Sequence, residues 1–473
     1  MAFNSLEYFI FFVLVFVACT ASTARPLARN ILLLLSSWFF YAINNEWVII
    51  LLLSSTIIDY YAGIFIQDAA LNKSRAKQAL LFSLFSNLGI LAFFKYFNFF
   101  ADSVYRVYSW SNVEHSPFFL EILLPVGISF YTFQSMSYTI DVYNGHQKAE
   151  RSFIRFALFV SFFPQLVAGP IVRARNLLSQ IQLSPKKLTL RTFEIALFLI
   201  ATGLFKKIVM GDTLGDYADA AFDASNTPHA AVVWLGLYAF TFQIYFDFSG
   251  YSDIAIGSAL LLGYRLPINF KRPYIAVSFS EFWRRWHISL SFWLRDYLYK
   301  PMGGNQKTKL TTYRNLLIVM LLGGLWHGAA WTFILWGAIH GVFLLIERAL
   351  GQSYTSKKLR DKPFNRFFRS FVIYNLCAFT WLPFRSNDFS SMVEMLTAFF
   401  RTDVPFNFTV GMFVAVFIIV GGYFTHWIGE FNSFKRLFIR APLLLKSLYF
   451  GSIFLAIVIF SSRSIEPFIY FRF

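Results

Sequence analysis

Long apolar runs, separated by short polar stretches, recur along almost the whole chain. After a first run at the N-terminus, two more cover residues 31–44 and 47–66 and are joined through the polar stretch NNE. Later runs lie near residues 79–99, 153–171, 191–211, 230–262, 279–298, 315–346, 368–384, 409–429 and 443–462. Because one helical crossing of a bilayer takes about 20 apolar residues, this pattern predicts an all-α polytopic membrane protein.

Two segments carry polar or helix-breaking residues inside apolar sequence. Residues 124–143 (LPVGISFYTFQSMSYTIDVY) contain Pro125 and a series of Ser, Thr and Gln, and residues 162–173 (FFPQLVAGPIVR) are interrupted by two prolines and a glycine. A polar group exposed to lipid has no water to bond to, which is costly in free energy. We therefore expect these segments to line the protein interior or to be re-entrant. No linker or repeat separates them from the rest, so residues 1–473 are predicted to form one membrane domain.

The charges that flank the first apolar runs predict how the chain is oriented. The first run has Glu7 and no cation before it, whereas Arg25 and Arg29 follow it. The loop after the third run is rich in cations: Lys73, Arg75 and Lys77. The loop after residue 99 is poor in them. Since cytoplasmic loops are enriched in Lys and Arg, we expect a retained first helix and an N-terminus outside the cell membrane.

Composition supports a membrane protein and changes the interpretation of the net charge. Hydrophobic residues make up 57% and charged residues 14%, against roughly 45–50% and 25% in soluble domains. A net charge of +17 would suggest nucleic acid in a soluble protein, but here the cations are expected to face anionic lipid headgroups. No nucleic-acid partner is expected. Cys19 and Cys377 both lie in apolar segments, so neither a disulfide framework nor a thiolate metal site is indicated.

Three of the seven histidines stand in apolar sequence that is also rich in tryptophan. His327 and His340 belong to LLGGLWHGAAWTFILWGAIHG, residues 321–341, and His287 lies in FWRRWHISLSFWLRDYLYKPMGGN between tryptophans and arginines. An imidazole among lipid tails loses its water and must find partners. These histidines are therefore either functional or hydrogen-bonded across helices to stabilise a bundle.

Helical periodicity separates the two histidines of residues 321–341. If this stretch is one helix, His340 lies about 220° around the axis from His327. The face of His327 then carries two glycines and an indole, namely Gly323, Gly324 and Trp331. This predicts a small, cavity-like surface beside His327 and a packing role for His340. A further histidine, His426, stands beside Trp427 and is expected at the membrane interface.

Two buried histidines suit few kinds of chemistry. A metal site needs three or four ligands, and a serine hydrolase triad usually comes with a G-x-S-x-G turn; the sequence has neither pattern. General-base catalysis remains, in which a histidine removes a proton from a hydroxyl that attacks an activated acyl group. A cationic cluster would suit the phosphates of a thioester such as acetyl-CoA, although ordinary cytoplasmic enrichment in cations explains it equally well: Lys271, Arg272, Arg284, Arg285, Arg295 and Lys300.

Two other classes of function stay open on the residues alone. Asp247 and Asp253, in YFDFSGYSDIAIG, would line a polar pathway in a transporter or flippase of a polymer or an acyl carrier. A structural subunit would tolerate replacement of both His287 and His327. An acyltransferase would lose acyl transfer when His327 is replaced, whereas a transporter would depend on a proton gradient and on the carboxylates.

Four stretches together resemble the membrane-bound O-acyltransferase family, and in particular its bacterial alginate O-acetyltransferase-like branch. They are FWRRWHISLSFWLRDYLYKPMGGN, RNLLIVMLLGGLWHGAAWTFILWGAIHG, LPVGISFYTFQSMSYTIDVY and FFPQLVAGPIVR. The resemblance covers nearly the whole chain. It implies a multi-pass protein of a bacterial inner membrane, with about 11–13 membrane helices around a central funnel or tunnel.

The same resemblance implies a reaction. Acetyl would pass from cytoplasmic acetyl-CoA, with no bound cofactor, to an extracellular or periplasmic polysaccharide: an alginate-like exopolysaccharide, cellulose or peptidoglycan. Besides membrane lipids, a periplasmic or extracellular acetyltransferase of the same pathway is the implied partner.

The resemblance also assigns roles to residues. His327 corresponds to the principal catalytic histidine, as a general base or as the group that stabilises the acetyl carbonyl, and His287 corresponds to a second functional histidine that orients or assists it. The indoles expected to wall the passage and exclude water are Trp286, Trp326 and Trp331. From the cationic cluster described above, and not from the resemblance, the cations expected to contact substrate are Arg284, Arg285 and Arg295.

The stretch SIEPFIYFRF at the C-terminus carries a separate hypothesis. Tyr470 lies among phenylalanines, and C-terminal tyrosines in motifs that resemble this one are associated with related surface-acylation systems. Tyr470 is therefore a candidate acyl relay, which accepts the acetyl group and hands it outward. The alternative is an aromatic belt at the membrane interface.

Overall fold

A computed structural model of the chain describes residues 1–43, 46–110, 119–183, 187–223, 228–351, 363–428, 431–461, 468 and 469. Within these residues the secondary structure consists of helices without strands, which confirms the all-α prediction. The chain divides into two compact units. One is formed by Met1–Leu188 with Ser258–Pro267, and the other by Thr189–Gly257 with Ile268–Phe473.

The first unit contains nine helices within its described residues, and a π-helical stretch, Ala92–Tyr96, joins the fourth to the fifth. The helices are α1 (Leu6–Ala21), α2 (Pro26–Ala42), α3 (Val48–Asp68), α4 (Lys73–Leu91), α5 (Phe97–Trp110), α6 (Ile128–Tyr143), α7 (Phe153–Ser161), α8 (Phe163–Leu166) and α9 (Ala174–Gln182). Side-chain caps begin two of them, since Ser5 accepts from the backbone of α1 and Asn72 from that of α4.

Helix α6 lies inside the first unit, as predicted for residues 124–143. Nearly all of its side chains are buried, and its polar groups are hydrogen-bonded within the unit. Gln134 donates to the carbonyl of Phe159 at 2.6 Å, and Ser135 donates to the carboxylate of Asp59 on α3. Asn87 of α4 donates to the same carboxylate at 2.9 Å. These bonds replace the water that the polar groups lose on burial.

The second unit contains the remaining helices of the described residues. They are α10 (Leu190–Leu204), α11 (Thr213–Phe222), α12 (Ala230–Leu261, whose last turn belongs to the first unit), α13 (Phe279–Arg285), α14 (Ile288–Leu294), α15 (Lys309–His327), α16 (Trp331–Ala349), α17 (Pro363–Arg385), α18 (Phe389–Ala398), α19 (Val410–Ile428), α20 (Phe431–Arg440) and α21 (Leu443–Phe460). Two π-helical stretches, Phe205–Asp212 and Arg295–Tyr299, extend α10 and α14.

Six helical segments within the described residues are long and apolar enough to cross a membrane. They are Val48–Asp68, Lys73–Ser109, Ala230–Leu261, Trp331–Ala349, Val410–Ile428 and Leu443–Phe460. These segments support a multi-pass membrane protein. The expectation of about 11–13 crossings stays a prediction, as does a single domain over residues 1–473.

The interpretation of residues 321–341 as one continuous helix is wrong. Helix α15 ends at His327, Gly328 is extended with φ −156°, and α16 begins at Trp331. The ring of Phe333 lies against Gly328 where a side chain would otherwise stand. The two helices form a hairpin in which their backbones are in direct contact. A Cβ at Gly324 would overlap the carbonyl oxygen of Phe333. Small residues allow such close approach of membrane helices, and here they fix His327 at the end of the hairpin.

Candidate active site

His327 ends α15 in a buried aromatic environment, with 4% of its surface exposed. Its ring centroid lies 5.1 Å from that of Trp326 and 5.1 Å from that of Trp336 on α16. Phe384 of α17 contacts it from another side at 5.4 Å. The imidazole of His287 lies 6.2 Å away, between centroids. The structure therefore brings together the two histidines that the sequence places 40 positions apart.

His287 occupies the N-cap position of α14 with a left-handed backbone, φ 40°. Such a conformation is strained for a residue with a side chain and persists where the surroundings fix it. Asn269 provides this fixation: its carbonyl accepts from the amide of Ile288 at 2.9 Å, and its side-chain oxygen accepts from the hydroxyl of Ser289 at 2.7 Å. On the other side, the carbonyl of Arg285 accepts from a backbone amide at 2.9 Å.

The imidazole of His287 is fully buried and packs against Phe248 of α12 at 4.7 Å and against Trp326 at 5.8 Å. His287 lies outside the six candidate membrane spans, and burial lowers the pKa of its imidazole well below that of a free histidine. A neutral imidazole has one ring nitrogen that accepts a hydrogen bond and one that donates. Kept neutral in this way, His287 is a weak base, so its imidazole is suited to donate or accept a hydrogen bond and not to take up a proton itself.

The predicted indoles take different positions. Trp326 contacts both His287 and His327, and Trp286 is fully buried and packs on Trp381 at 5.2 Å. Trp331 begins α16 and is half exposed. The face that it was expected to share with His327 does not exist, because residues 328–330 break the helix. A role for any of these indoles in walling a passage stays a prediction.

Trp336 and Phe384 contact His327 directly, and sequence periodicity missed both. On a continuous helix Trp336 would lie about 180° around the axis from His327. The hairpin reverses the chain and returns Trp336 to the histidine. Only the Gly-Ala-Ala stretch after His327 hinted at the reversal, and that stretch is equally compatible with a helix.

The predicted arginines differ in what they contact. Arg285 is partly buried, forms an ion pair with Glu281 at 2.5 Å and donates to the carbonyl of Lys271. Arg295 is exposed and pairs with Asp296 at 2.9 Å. Arg284 is also exposed. Arg284 and Arg295 are therefore more accessible than Arg285, whose guanidinium ties α13 to the carbonyl of Lys271.

The two carboxylates of the transporter alternative form ion pairs with a π-helical stretch. Asp247 and Asp253 on α12 lie 2.7 Å from the ammonium groups of Lys207 and Lys206 respectively. A glycine contact brings these segments together, because a Cβ at Gly203 would lie 2.6 Å from the carbonyl oxygen of residue 250. Charges inside a membrane protein are usually paired in this way. The pairing explains both carboxylates without a transport pathway.

A cavity of about 270 Å³ opens beside the histidine site. Two of the rings around it, Phe333 and Phe384, pack on each other at 4.8 Å, and Phe384 also contacts His327. An ion pair between Arg385 and Asp219, 2.8 Å long, provides charge at its wall. The lining residues are Asp219, Gln243, Ala329, Ala330, Phe333, Phe384, Arg385, Ser386, Asn387 and Ile469.

Two further histidines are buried. His340 is fully buried, and its Nε2 lies 3.0 Å from the hydroxyl of Thr380, an arrangement consistent with packing. The expectation of an interfacial His426 is wrong: it is 2% exposed, and its Nδ1 lies 2.8 Å from the carbonyl oxygen of Gly422. Gly422 lies one turn earlier on α19 and lets the neighbouring aromatic rings approach.

Tyr470 lies outside the described residues. Phe468 and Ile469, which precede it, belong to the second unit and are buried. Phe468 packs on Phe248 at 5.3 Å, and the amide of Ile469 donates to a carboxylate oxygen of Asp247 at 2.7 Å.

Known proteins give an independent comparison. Residues 145–387 match the membrane-bound O-acyltransferase family. A protein of Azotobacter vinelandii named "Probable alginate O-acetylase AlgI" is 43% identical over 402 residues, which cover 85% of this chain and 78% of the relative. The peptidoglycan O-acetyltransferase of Helicobacter pylori is 36% identical, with 72% and 68% covered. The teichoic acid D-alanyltransferase of Streptococcus thermophilus is 31% identical, with 55% and 68% covered.

The family match spans half of the chain and includes His287, His327 and the helices that carry them. The described residues form helices, six of which are candidate membrane spans, and this agrees with the match. The chain therefore belongs to the membrane-bound O-acyltransferase family and is a multi-pass membrane O-acyltransferase.

Proposed function

We propose that this protein transfers acetyl from acetyl-CoA to hydroxyl groups of a polysaccharide outside the cytoplasm. The buried pair of His287 and His327, 6.2 Å apart beside a cavity, is the observation that best supports this reaction. The names of two relatives, an alginate O-acetylase and a peptidoglycan O-acetyltransferase, favour acetyl as the acyl group. An alginate-like exopolysaccharide, cellulose and peptidoglycan are the candidate acceptors.

His327 is the proposed general base. It takes the proton of the acceptor hydroxyl while that oxygen attacks the thioester carbonyl. The carbon–sulfur bond then breaks, and the departing thiolate takes up the proton, leaving CoA thiol and an acetyl ester. His287 orients His327 or stabilises the carbonyl oxygen. The rings of Trp326, Trp336 and Phe384 exclude water, so that the thioester is not hydrolysed.

Acetyl-CoA is the proposed donor, with no bound cofactor, and reaches the site from the cytoplasm. The exposed cations Arg284 and Arg295 would bind its phosphates, because guanidinium groups form paired hydrogen bonds with phosphate oxygens. Cationic loops favour the cytoplasmic side. With Arg25 directly after α1 and further cations at the start of α4, the N-terminus lies outside. The membrane is the inner membrane of a bacterium in this proposal.

The cavity beside His327 is the proposed acceptor side. The acetyl group passes there either directly to a polysaccharide hydroxyl or to the phenol oxygen of Tyr470, the residue that follows Ile469 in the sequence. In the second case a periplasmic or extracellular acetyltransferase takes the group from Tyr470 onward. Replacement of Tyr470 by Phe should then abolish polymer acetylation while the amount of protein stays unchanged. Normal acetylation in that variant would exclude the relay.

One experiment tests the main proposal. A strain in which the gene is deleted is complemented with either the wild-type gene or the His327→Ala variant. The variant should give about a hundredfold or more fewer acetyl esters on the surface polymer than wild type, the typical contribution of a general base. His146→Ala is the matched control, because the side chain of His146 is largely exposed and lies outside the site. Protein abundance in the membrane is measured for both. Equal acetylation in His327→Ala and wild type would defeat the proposal.

A further inference from the structure

We propose that Asp247 is a positioning residue that anchors the segment Phe468–Ile469 next to the histidine pair. Its carboxylate Oδ2 accepts the backbone amide of Ile469 at 2.7 Å. The two residues are 222 positions apart in the sequence, so this bond ties a distant part of the chain to the middle of α12. The other oxygen, Oδ1, lies 2.7 Å from the ammonium group of Lys207.

The anchored segment is buried on the same face of α12 that supports His287. Phe468 and Ile469 are 2% and 4% exposed. The ring of Phe468 packs on Tyr251 at 4.8 Å and on Phe248 at 5.3 Å. Phe248 also packs on the imidazole of His287 at 4.7 Å. The segment therefore reaches the histidine pair through a single intervening ring.

Ile469 also contributes to the wall of the cavity beside His327. Phe384 lines the same cavity and contacts His327. Any movement of the segment Phe468–Ile469 would thus change both the cavity and the packing behind His287. Asp247 is assigned the role of holding this segment. The effect of the anchor on catalysis rests on the proposed acetyl transfer, whereas the anchor itself does not.

A charged cluster lies beside the other oxygen of the Asp247 carboxylate. Lys207 lies 2.7 Å from Asp212 as well as from Asp247, so the ammonium group bridges two carboxylates. Gly211, in the same π-helical stretch, comes close to the backbone of Asp247, where its Cβ would lie 3.3 Å from the amide nitrogen. A hydrogen bond to an ionised carboxylate is roughly twice as strong as a neutral one. A buried amide that loses its acceptor lowers the stability of the folded state around it.

A matched pair of double variants isolates the anchor. Lys207→Met with Asp247→Asn removes the charge pair but keeps a side-chain oxygen for the amide of Ile469. Lys207→Met with Asp247→Leu has a similar shape and no acceptor. Both variants lose the same ammonium group, so they differ only in the polar amide that Asn carries and Leu lacks. Thermal midpoints of the purified full-length proteins verify that both are folded.

Hydrogen–deuterium exchange at Ile469 is the direct measurement. We expect exchange at this amide to be at least about tenfold faster in the Leu double variant than in the Asn double variant. Exchange in α21 should be equal in both. Equal exchange at Ile469 in the two variants would overturn the anchor.

Acetyl transfer by the same two variants tests the consequence. We expect the Leu double variant to lose at least about tenfold in kcat relative to the Asn double variant, with the KM for acetyl-CoA unchanged, because the donor side is not touched. Faster exchange with an unaltered kcat would overturn the positioning role. If His327→Ala retained transfer, the proposed function would fail while the exchange result still decided the anchor.

Discussion

At the scale of single residues, His287 has both a proposed role in acyl transfer and a left-handed backbone. Substitutions can test the backbone conformation separately from the imidazole. Replacement by Gly or by Ala removes the imidazole equally. A left-handed conformation costs an L-residue roughly 1–2 kcal/mol relative to glycine, so the Gly variant should be the more stable of the two. Thermal unfolding in detergent measures the difference. An Ala variant as stable as the Gly variant would show that the loop relaxes away from φ 40°.

The arginines allow a second prediction at this scale. Arg285→Gln breaks a largely buried ion pair with Glu281 and should destabilise the protein by about 3 kcal/mol, since one buried charge is left unpaired. Arg295→Gln removes an exposed charge, which contributes little to stability, but should raise the KM for acetyl-CoA. Thermal unfolding of both variants and their KM for acetyl-CoA test whether Arg285 acts on stability and Arg295 on substrate binding. A raised KM in Arg285→Gln without destabilisation would contradict it.

At the scale of helices, the α15–α16 hairpin positions His327 through main-chain contact. A Cβ at Gly337 would overlap the carbonyl oxygen of Met320, so Gly337→Ala should force the helices apart. We expect a loss of about 1–3 kcal/mol in stability, typical of overpacking, together with reduced acyl transfer. Gly421→Ala on α19 is the control, because a Cβ there meets no atom within 4 Å. In a helix interior that change should be neutral or stabilising by up to about 1 kcal/mol. Equal behaviour of the two variants would contradict the close contact.

The helices also show how far the sequence could predict this fold. Apolar runs located most of them, and the polar content of α6 predicted its interior position, because burial and hydrogen bonding follow directly from residue type. The break at Gly328 could not be predicted in the same way. Residues 328–330 are Gly-Ala-Ala, which is compatible with a helix, and the ring of Phe333 occupies the space beside the extended Gly328. His426 was misplaced for the same reason: contacts from α12 bury it, and local sequence does not report them.

At the candidate site, the residues with distinctive chemistry were predictable and their apolar neighbours were not. His287 and His327 stand out among apolar residues, and the structure places their rings 6.2 Å apart. Trp336 and Phe384 resemble any other aromatic residue of a membrane helix. Their contacts with His327 arise from the hairpin and from α17, which local periodicity does not describe.

At the scale of the whole molecule, membrane orientation gives a prediction that needs no assay of acyl transfer. Ser74 is exposed in the cationic stretch that begins α4, which we place in the cytoplasm. Ser74→Cys should therefore resist a membrane-impermeant thiol reagent in intact cells and react after permeabilisation. Cys19 and Cys377 are 2% and 1% exposed, so the native thiols give little background. Labelling in intact cells would reverse the proposed orientation.

The glycine contact between α15 and α16 has a consequence for protein engineering. Because backbone meets backbone at Gly324 and Gly337, the place of His327 does not depend on the side chains that point away from this contact. Leu322, Val342 and Ile346 are exposed on the hairpin. These residues could be substituted to attach a reporter or to match a bilayer of another thickness. Such substitutions should leave the geometry around His327 intact. The hairpin thus provides a surface that can be redesigned separately from the chemistry it holds.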